Sequence, residues 1–158
     1  MKVNSQLKKL RTIEGRINKN LFLICAIVTG VVMAMKLAEF FSRGAFAPAK
    51  IELFYLGVLV IYSLHKEMVR WLGERKVERQ GEYFVYVWIA LTTILYLVNF
   101  LTHNYFSFSL AGKPMMVLRD ISLLTIQVLA IFIITRILKL SRVILTRKNI
   151  FNKLSRNE

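Results

Sequence analysis

The densest run of charge in this 158-residue chain is SLHKEMVRWLGERKVERQGEYF, Ser63 to Phe84, which lies between two apolar segments. It holds one of the two histidines and four glutamates. Acidic and basic residues three or four positions apart can pair along a helix. We therefore expect the preceding helix to extend past the apolar segment and to offer a docking surface to a cytoplasmic partner. The residues of this candidate docking surface are Glu67, Arg70, Glu74 and Arg75.

Motifs for catalysis are absent from the sequence. It contains no HExxH, no glycine-rich phosphate loop and no GxSxG. The two histidines, His65 and His103, are predicted at opposite faces of a membrane, about 30 Å apart, so they cannot bind one metal ion within a subunit. The single cysteine, Cys25, excludes an internal disulfide and argues against a thiol-relay oxidoreductase. We predict no catalytic residue, metal or cofactor.

Charged and polar side chains within the apolar segments are the other candidates for chemistry. Lys36, Glu39 and Arg43 are spaced so that Glu39 can pair with either base. A carboxylate in a membrane helix is a functional candidate, although such a group can also be an ion-paired cluster that extends to the lipid headgroups. Gln127 is predicted at the depth of two threonines and can hydrogen-bond to one of them. The candidate intramembrane polar cluster is Lys36, Glu39, Arg43, Thr92, Thr93, Asn99 and Gln127.

Small residues recur every fourth position on the face of the first apolar segment that is nearly opposite these charges. Such a ridge lets two helix backbones approach closely. The ridge is interpreted as an interface between subunits or as close packing within one subunit, and the sequence leaves both open. It consists of Ala26, Gly30, Ala34 and Ala38.

The elements that carry these residues are predicted to be membrane helices. Hydrophobic residues make up 56% of the chain and occur in long blocks, and a spanning helix needs about 20 such residues. The net charge is +14, with the basic residues flanking the apolar blocks, which favours a membrane over nucleic acid. The predicted spans are residues 20–42, 51–72, 83–103 and 117–140.

The second span has a short uninterrupted apolar run, which extends only from Leu53 to Leu64. A run of that length is also typical of a buried or re-entrant segment. Counts of Lys and Arg in the successive connecting and terminal segments are six, two, five, two and seven. Since basic residues concentrate in cytoplasmic segments, this alternation predicts four spans with both termini in the cytoplasm.

Both ends of the chain combine apolar and basic residues. Residues 5–19 are predicted to form an amphipathic helix in the inner interface, and residues 141–158 a basic cytoplasmic helical tail, both attracted to anionic lipid headgroups. Trp71, Tyr83, Tyr86 and Trp88 are placed for the inner aromatic belt.

The sequence thus predicts an all-α polytopic integral membrane protein with a single membrane domain over residues 1–158. We expect it in a bacterial cytoplasmic membrane. The leading hypothesis is a non-enzymatic scaffold or accessory subunit that acts through helix packing and a basic cytoplasmic surface, with a second copy or a membrane complex as partner. The alternative is a small oligomeric ion channel or transporter that uses Glu39 and the midspan polar residues. A membrane-embedded enzyme is the third hypothesis.

Overall fold

The fold consists of long helices joined by short connections. The computed structural model describes residues 2–46, 51–71 and 81–154, and within them the side chains of residues 15–46, 51–69, 81–141 and 144. These residues form α1 (Lys2–Phe41), α2 (Glu52–Trp71), α3 (Glu82–Leu101), one 3₁₀ turn (Tyr105–Ser107) and α4 (Val117–Leu154). No strand occurs among them, so the all-α prediction is confirmed.

Three of the four helices contain a segment that is long and apolar enough to cross a membrane. These segments are Gly15–Phe41, Glu82–Leu101 and Val117–Ser141, and they indicate an integral membrane protein. With 20 residues, α2 is about 30 Å long, which is also sufficient. It differs in composition, because Glu52 begins it and Lys66, Glu67 and Arg70 interrupt its last turns.

The first and last helices continue past the predicted membrane spans into the terminal segments. Residues 5–19 are helical, and α1 continues through them without interruption from Lys2 to Phe41. Nothing in this segment breaks a helix: the only prolines of the chain are Pro48 and Pro114. In the same way α4 extends through the first part of the basic tail to Leu154.

The helices pack as a bundle in which α2 lies antiparallel along α1 and parallel along α4, while α3 lies antiparallel along α4. Buried positions on each helix recur every three or four residues, which produces one inward stripe per helix. The stripes are Cys25, Thr29, Val32, Lys36 and Phe40 on α1; Tyr55, Leu59, Tyr62, Lys66 and Val69 on α2; Trp88, Leu91, Leu95 and Asn99 on α3; and Val117, Ile121, Leu124 and Val128 on α4.

The outward faces are strongly apolar. Leu53 is 82% exposed, Phe100 75% and Ile126 60%. Large apolar side chains exposed over whole helix faces are unusual for a protein surrounded by water and are those expected for contact with lipid.

The two ends of the bundle are named here by their connections. The loop end contains the C-termini of α1 and α3 and the N-termini of α2 and α4, and the opposite end is the terminal end.

At the loop end α1 and α3 finish in similar turns, with Gly44 N–H donating to Glu39 O and Asn104 N–H to Asn99 O. These are Schellman motifs. Two successive residues have a positive φ in each turn: Arg43 (φ 53°) and Gly44 (φ 78°) in one, His103 (φ 51°) and Asn104 (φ 63°) in the other.

Candidate functional site

A buried ion-pair cluster lies at the loop end. The Lys36 ammonium donates to Glu39 Oε2 at 2.9 Å and lies 2.8 Å from Glu52 Oε1 at the start of α2. The lysine side chain is 7% exposed, while the two carboxylates are 18% and 26% exposed. The Lys36–Glu39 pair that the spacing predicts is therefore present. The sequence analysis missed Glu52, although its position at the start of the second span places it at the depth of Lys36.

Arg43 does not pair with Glu39. Its guanidinium donates to the backbone oxygens of Phe108 at 2.8 Å and Ser109 at 3.1 Å, and it stacks on the Tyr105 ring at 4.1 Å. Arg43 thus holds the α3–α4 connection against the end of α1. A left-handed backbone costs about 1–2 kcal/mol for a residue other than glycine, and these three contacts offset that cost.

The polar residues predicted at midspan lie in separate places. Thr92 shares a 2.7 Å hydrogen bond with Thr125 of α4, and not with Gln127. Thr93 donates to Ile89 O in its own helix, while Gln127 lies on the exposed face of α4. Asn99 is buried and donates to Asn104 and Ser107 of the loop end. Within the described residues, the structure therefore joins only Lys36 and Glu39 of the candidate intramembrane polar cluster.

A buried hydrogen-bonded group at the centre of the bundle was not predicted. The Trp88 indole Nε1 donates to the Tyr55 hydroxyl at 2.7 Å, and both side chains are fully buried. Thr29 is buried on the inward stripe of α1, and its hydroxyl donates to Cys25 O at 2.7 Å. The sequence signal for this group is the inward spacing of Tyr55, Leu59 and Tyr62, since buried tyrosine and tryptophan usually find a polar partner.

The predicted aromatic belt differs from the structure at one residue, Trp88. Tyr83 and Tyr86 are 65% and 62% exposed and remain free to contact the membrane interface. Trp88 is fully buried, so its assignment to the belt is wrong. It lies six residues after the helix start, on the inward stripe, where its large ring fills the space between α3 and α2. The side chain of Trp71 lies outside the described residues.

The small-residue ridge of α1 faces away from the bundle. Gly30, Ala34 and Ala38 are exposed and Ala26 is half-buried. A Cβ atom added at Gly30 would have no atom within 4 Å beyond its own helix. Gly30, Ala34 and Ala38 therefore make little contact with the other described helices, whereas Ala26 packs against the core.

Glu67, the one residue of the candidate docking surface whose side chain is described, lies towards the terminal end. Glu67 is 8% exposed and Lys66 9%, so Glu67 does not present its carboxylate at the surface. The side chain of Arg70, together with Glu74 and Arg75, lies outside the described residues. Glu82 at the start of α3 pairs with Arg136 of α4, which ties these two helices together. Exposed basic residues at this end include Arg16, Lys19 and Lys139.

Among the described side chains, no group of three or more His, Cys, Asp or Glu lies close enough together to hold a metal ion. The chain matches no family model, no curated protein and no solved structure. Its function must therefore be argued from its own residues.

Proposed function

We propose that this protein is a four-span membrane scaffold or accessory subunit that holds a partner membrane protein against α1. The observation that carries the proposal is the outward orientation of Gly30, Ala34 and Ala38. Helices in lipid associate by close packing and not by hydrophobic exclusion, so an exposed row of small residues is the surface a second helix can use. The partner segment is an apolar helix with small residues of its own.

The proposal includes α2 as the fourth span, with both termini in the cytoplasm. Two observations support it. Contacts between Lys36 and Glu52 at one end and between Phe22 and Tyr62 towards the other show that α2 lies antiparallel along the membrane segment of α1. Two of the charges that distinguish α2 from the other spans, Lys66 and Glu67, are buried in the bundle and not exposed to lipid. A helix whose charges face inward can cross a bilayer beside its neighbours.

The terminal end would be the cytoplasmic surface of this scaffold. Arg16, Lys19 and Lys139 are exposed there, and basic side chains near a cytoplasmic leaflet are attracted to anionic headgroups. Arg70, Glu74 and Arg75 remain the residues that we propose for docking a cytoplasmic partner, with Glu67 left out because it is buried.

Affinity capture after crosslinking in native membranes tests the scaffold. Gly30→Leu and Ala34→Leu place bulk on the ridge and should abolish capture of the partner seen with the wild-type protein. Gly57→Leu and Ala90→Leu are matched controls, because Gly57 and Ala90 are also exposed on membrane helices but lie on α2 and α3. Equal capture by all four variants would refute the ridge as the binding surface.

A transporter is the second candidate, and the observation in its favour is the buried Lys36 held between two carboxylates. Ion flux in proteoliposomes separates the candidates. If the protein conducts ions and Glu39→Gln abolishes the flux, the transporter replaces the scaffold as the proposed function. If the flux is no greater than in empty liposomes, the transporter is excluded.

A further inference from the structure

The exposed face of α4 carries a polar side chain deep in the membrane segment. Gln127 lies ten residues after Val117 and fourteen before Ser141, the ends of the crossing segment. At 1.5 Å per residue these separations are about 15 Å and 21 Å, so the amide cannot reach either headgroup layer. Its side chain is exposed and makes no hydrogen bond to any residue in the described part of the chain.

An exposed amide at this depth requires a partner. The hydrocarbon core offers neither a donor nor an acceptor, and polar groups in membrane helices almost always face protein. The other midspan hydroxyls follow this rule: Thr92 bonds to Thr125, and Thr93 bonds to its own helix backbone. Gln127 is the exception among these residues.

The residues around Gln127 form a regular stripe. Leu123, Gln127, Ala130, Ile134 and Ile137 are all exposed and are separated by four, three, four and three positions. This is the spacing by which two helices pack side by side along a common seam. The small side chain of Ala130 allows the backbones of two packed helices to approach each other. We call these five residues the α4 seam.

We propose that the α4 seam joins two copies of this chain into a twofold-symmetric dimer in which Gln127 bonds to Gln127 of the second copy. The occupant is a second copy because an amide is self-complementary: its NH₂ group donates and its oxygen accepts. A twofold axis brings the same residue of each copy together. Copies inserted in the same orientation have parallel α4 helices, which is the arrangement in which equivalent seam positions face each other. The seam shares no residue with the α1 ridge, so the dimer does not depend on the proposed partner.

The test measures association of the full chain in liposomes by energy transfer as lipid dilutes the protein. Donor and acceptor dyes are attached at Lys113→Cys, an exposed loop position; Cys25 is fully buried and does not compete for a polar maleimide. Gln127→Leu should weaken the dimer roughly three- to twentyfold, the range measured for hydrogen bonds between membrane helices. The variant keeps the fold because the new leucine faces lipid. Thr93→Val is the control and should leave association unchanged, since Thr93 already bonds within its own helix.

A second measurement fixes the position of the interface. Under oxidation Ala130→Cys should form a disulfide-linked dimer, and Ile94→Cys, exposed on α3, should not. A wild-type protein that stays monomeric at all dilutions, equal association of Gln127→Leu and wild type, or equal crosslinking at both positions would overturn the proposal. Loss of the dimer in Gly30→Leu but not in Gln127→Leu would overturn it as well. Partner capture by Gly30→Leu and Ala34→Leu that equals wild-type capture, together with an intact dimer, would count against the scaffold alone.

Discussion

The ammonium of Lys36 on α1 lies 2.8 Å from the carboxylate of Glu52 on α2. This contact ties the start of α2 to α1 at a depth where Lys36 is almost fully buried. Glu39 completes the cluster from the same helix as the lysine. The register between the first two helices therefore depends in part on one interhelical charge pair.

Replacing Lys36 by methionine should destabilise the protein by about 2–3 kcal/mol. Removing one partner of a fully buried pair costs about 3–5 kcal/mol because the remaining charge is left uncompensated, and here the two carboxylates keep some contact with solvent. The measurement is the free energy of unfolding in mixed micelles, followed by circular dichroism. Lys113→Met, at an exposed loop position, is the control. The variant Lys36→Met/Glu52→Gln should be more stable than Lys36→Met alone, and the opposite order would contradict the assignment.

Replacing Tyr55 by phenylalanine should cost about 1–3 kcal/mol, because it leaves the indole N–H of the fully buried Trp88 without its acceptor. Tyr96→Phe is the matched control. It removes the same atom from an exposed tyrosine whose hydroxyl bonds to Ser122, and should cost about 0.6 kcal/mol or less. The same unfolding titration compares them. Equal losses for the two variants would mean that burial of the Tyr55–Trp88 pair adds nothing.

The sequence predicted the helices and part of the charge pairing because both depend on local spacing. Apolar blocks identify the membrane segments, and Lys36 and Glu39 lie within one turn of each other. Glu52 and Tyr55 were missed because their partners are on other helices. Such contacts depend on how far each helix is rotated and shifted against its neighbour, which a single sequence does not determine.

Trp88 and Gln127 show the same limit of prediction from sequence, with errors in opposite directions. Tryptophan near the end of a span is often interfacial, yet Trp88 faces inward and fills the core. Glutamine at midspan was expected to bond inward, yet Gln127 faces outward. In both cases the direction in which the side chain points depends on how the helix is rotated in the bundle, which composition does not show.

Replacing Thr92 by valine should weaken the packing of α3 on α4 by about 0.6–1.7 kcal/mol, since it removes an interhelical hydrogen bond to Thr125 while keeping the shape of the side chain. Thr93→Val should have almost no effect, because the Thr93 hydroxyl bonds only to the carbonyl of Ile89. A double-mutant cycle with Thr125→Val gives the pairwise energy. Additive losses in that cycle would show that the two threonines are not coupled.

Arg43 should respond differently to glycine and to alanine. Both substitutions remove the hydrogen bonds to Phe108 and Ser109, but only alanine keeps the cost of a left-handed backbone at this position. Arg43→Ala should therefore be less stable than Arg43→Gly by about 1 kcal/mol. In hydrogen exchange, both variants should lose protection at the amide of Met115, which donates to Ser107 O within the same connection. Full protection in both would show that Arg43 does not hold the loop.

The proposed topology predicts the side of the membrane on which each connection lies. A reporter fused after Glu158 should be cytoplasmic and one inserted in the loop 106–113 should be external, because four spans return the chain to its starting side. If α2 did not cross, both signals would be reversed while an impermeant maleimide would still label Ala45→Cys from outside. Ala45 is exposed directly after α1 and thus serves as the internal control for N-terminal orientation. External labelling at Ala45 together with an external C-terminal reporter would reduce the protein to three spans and place the exposed basic residues of α1 and α4 on opposite sides of the membrane.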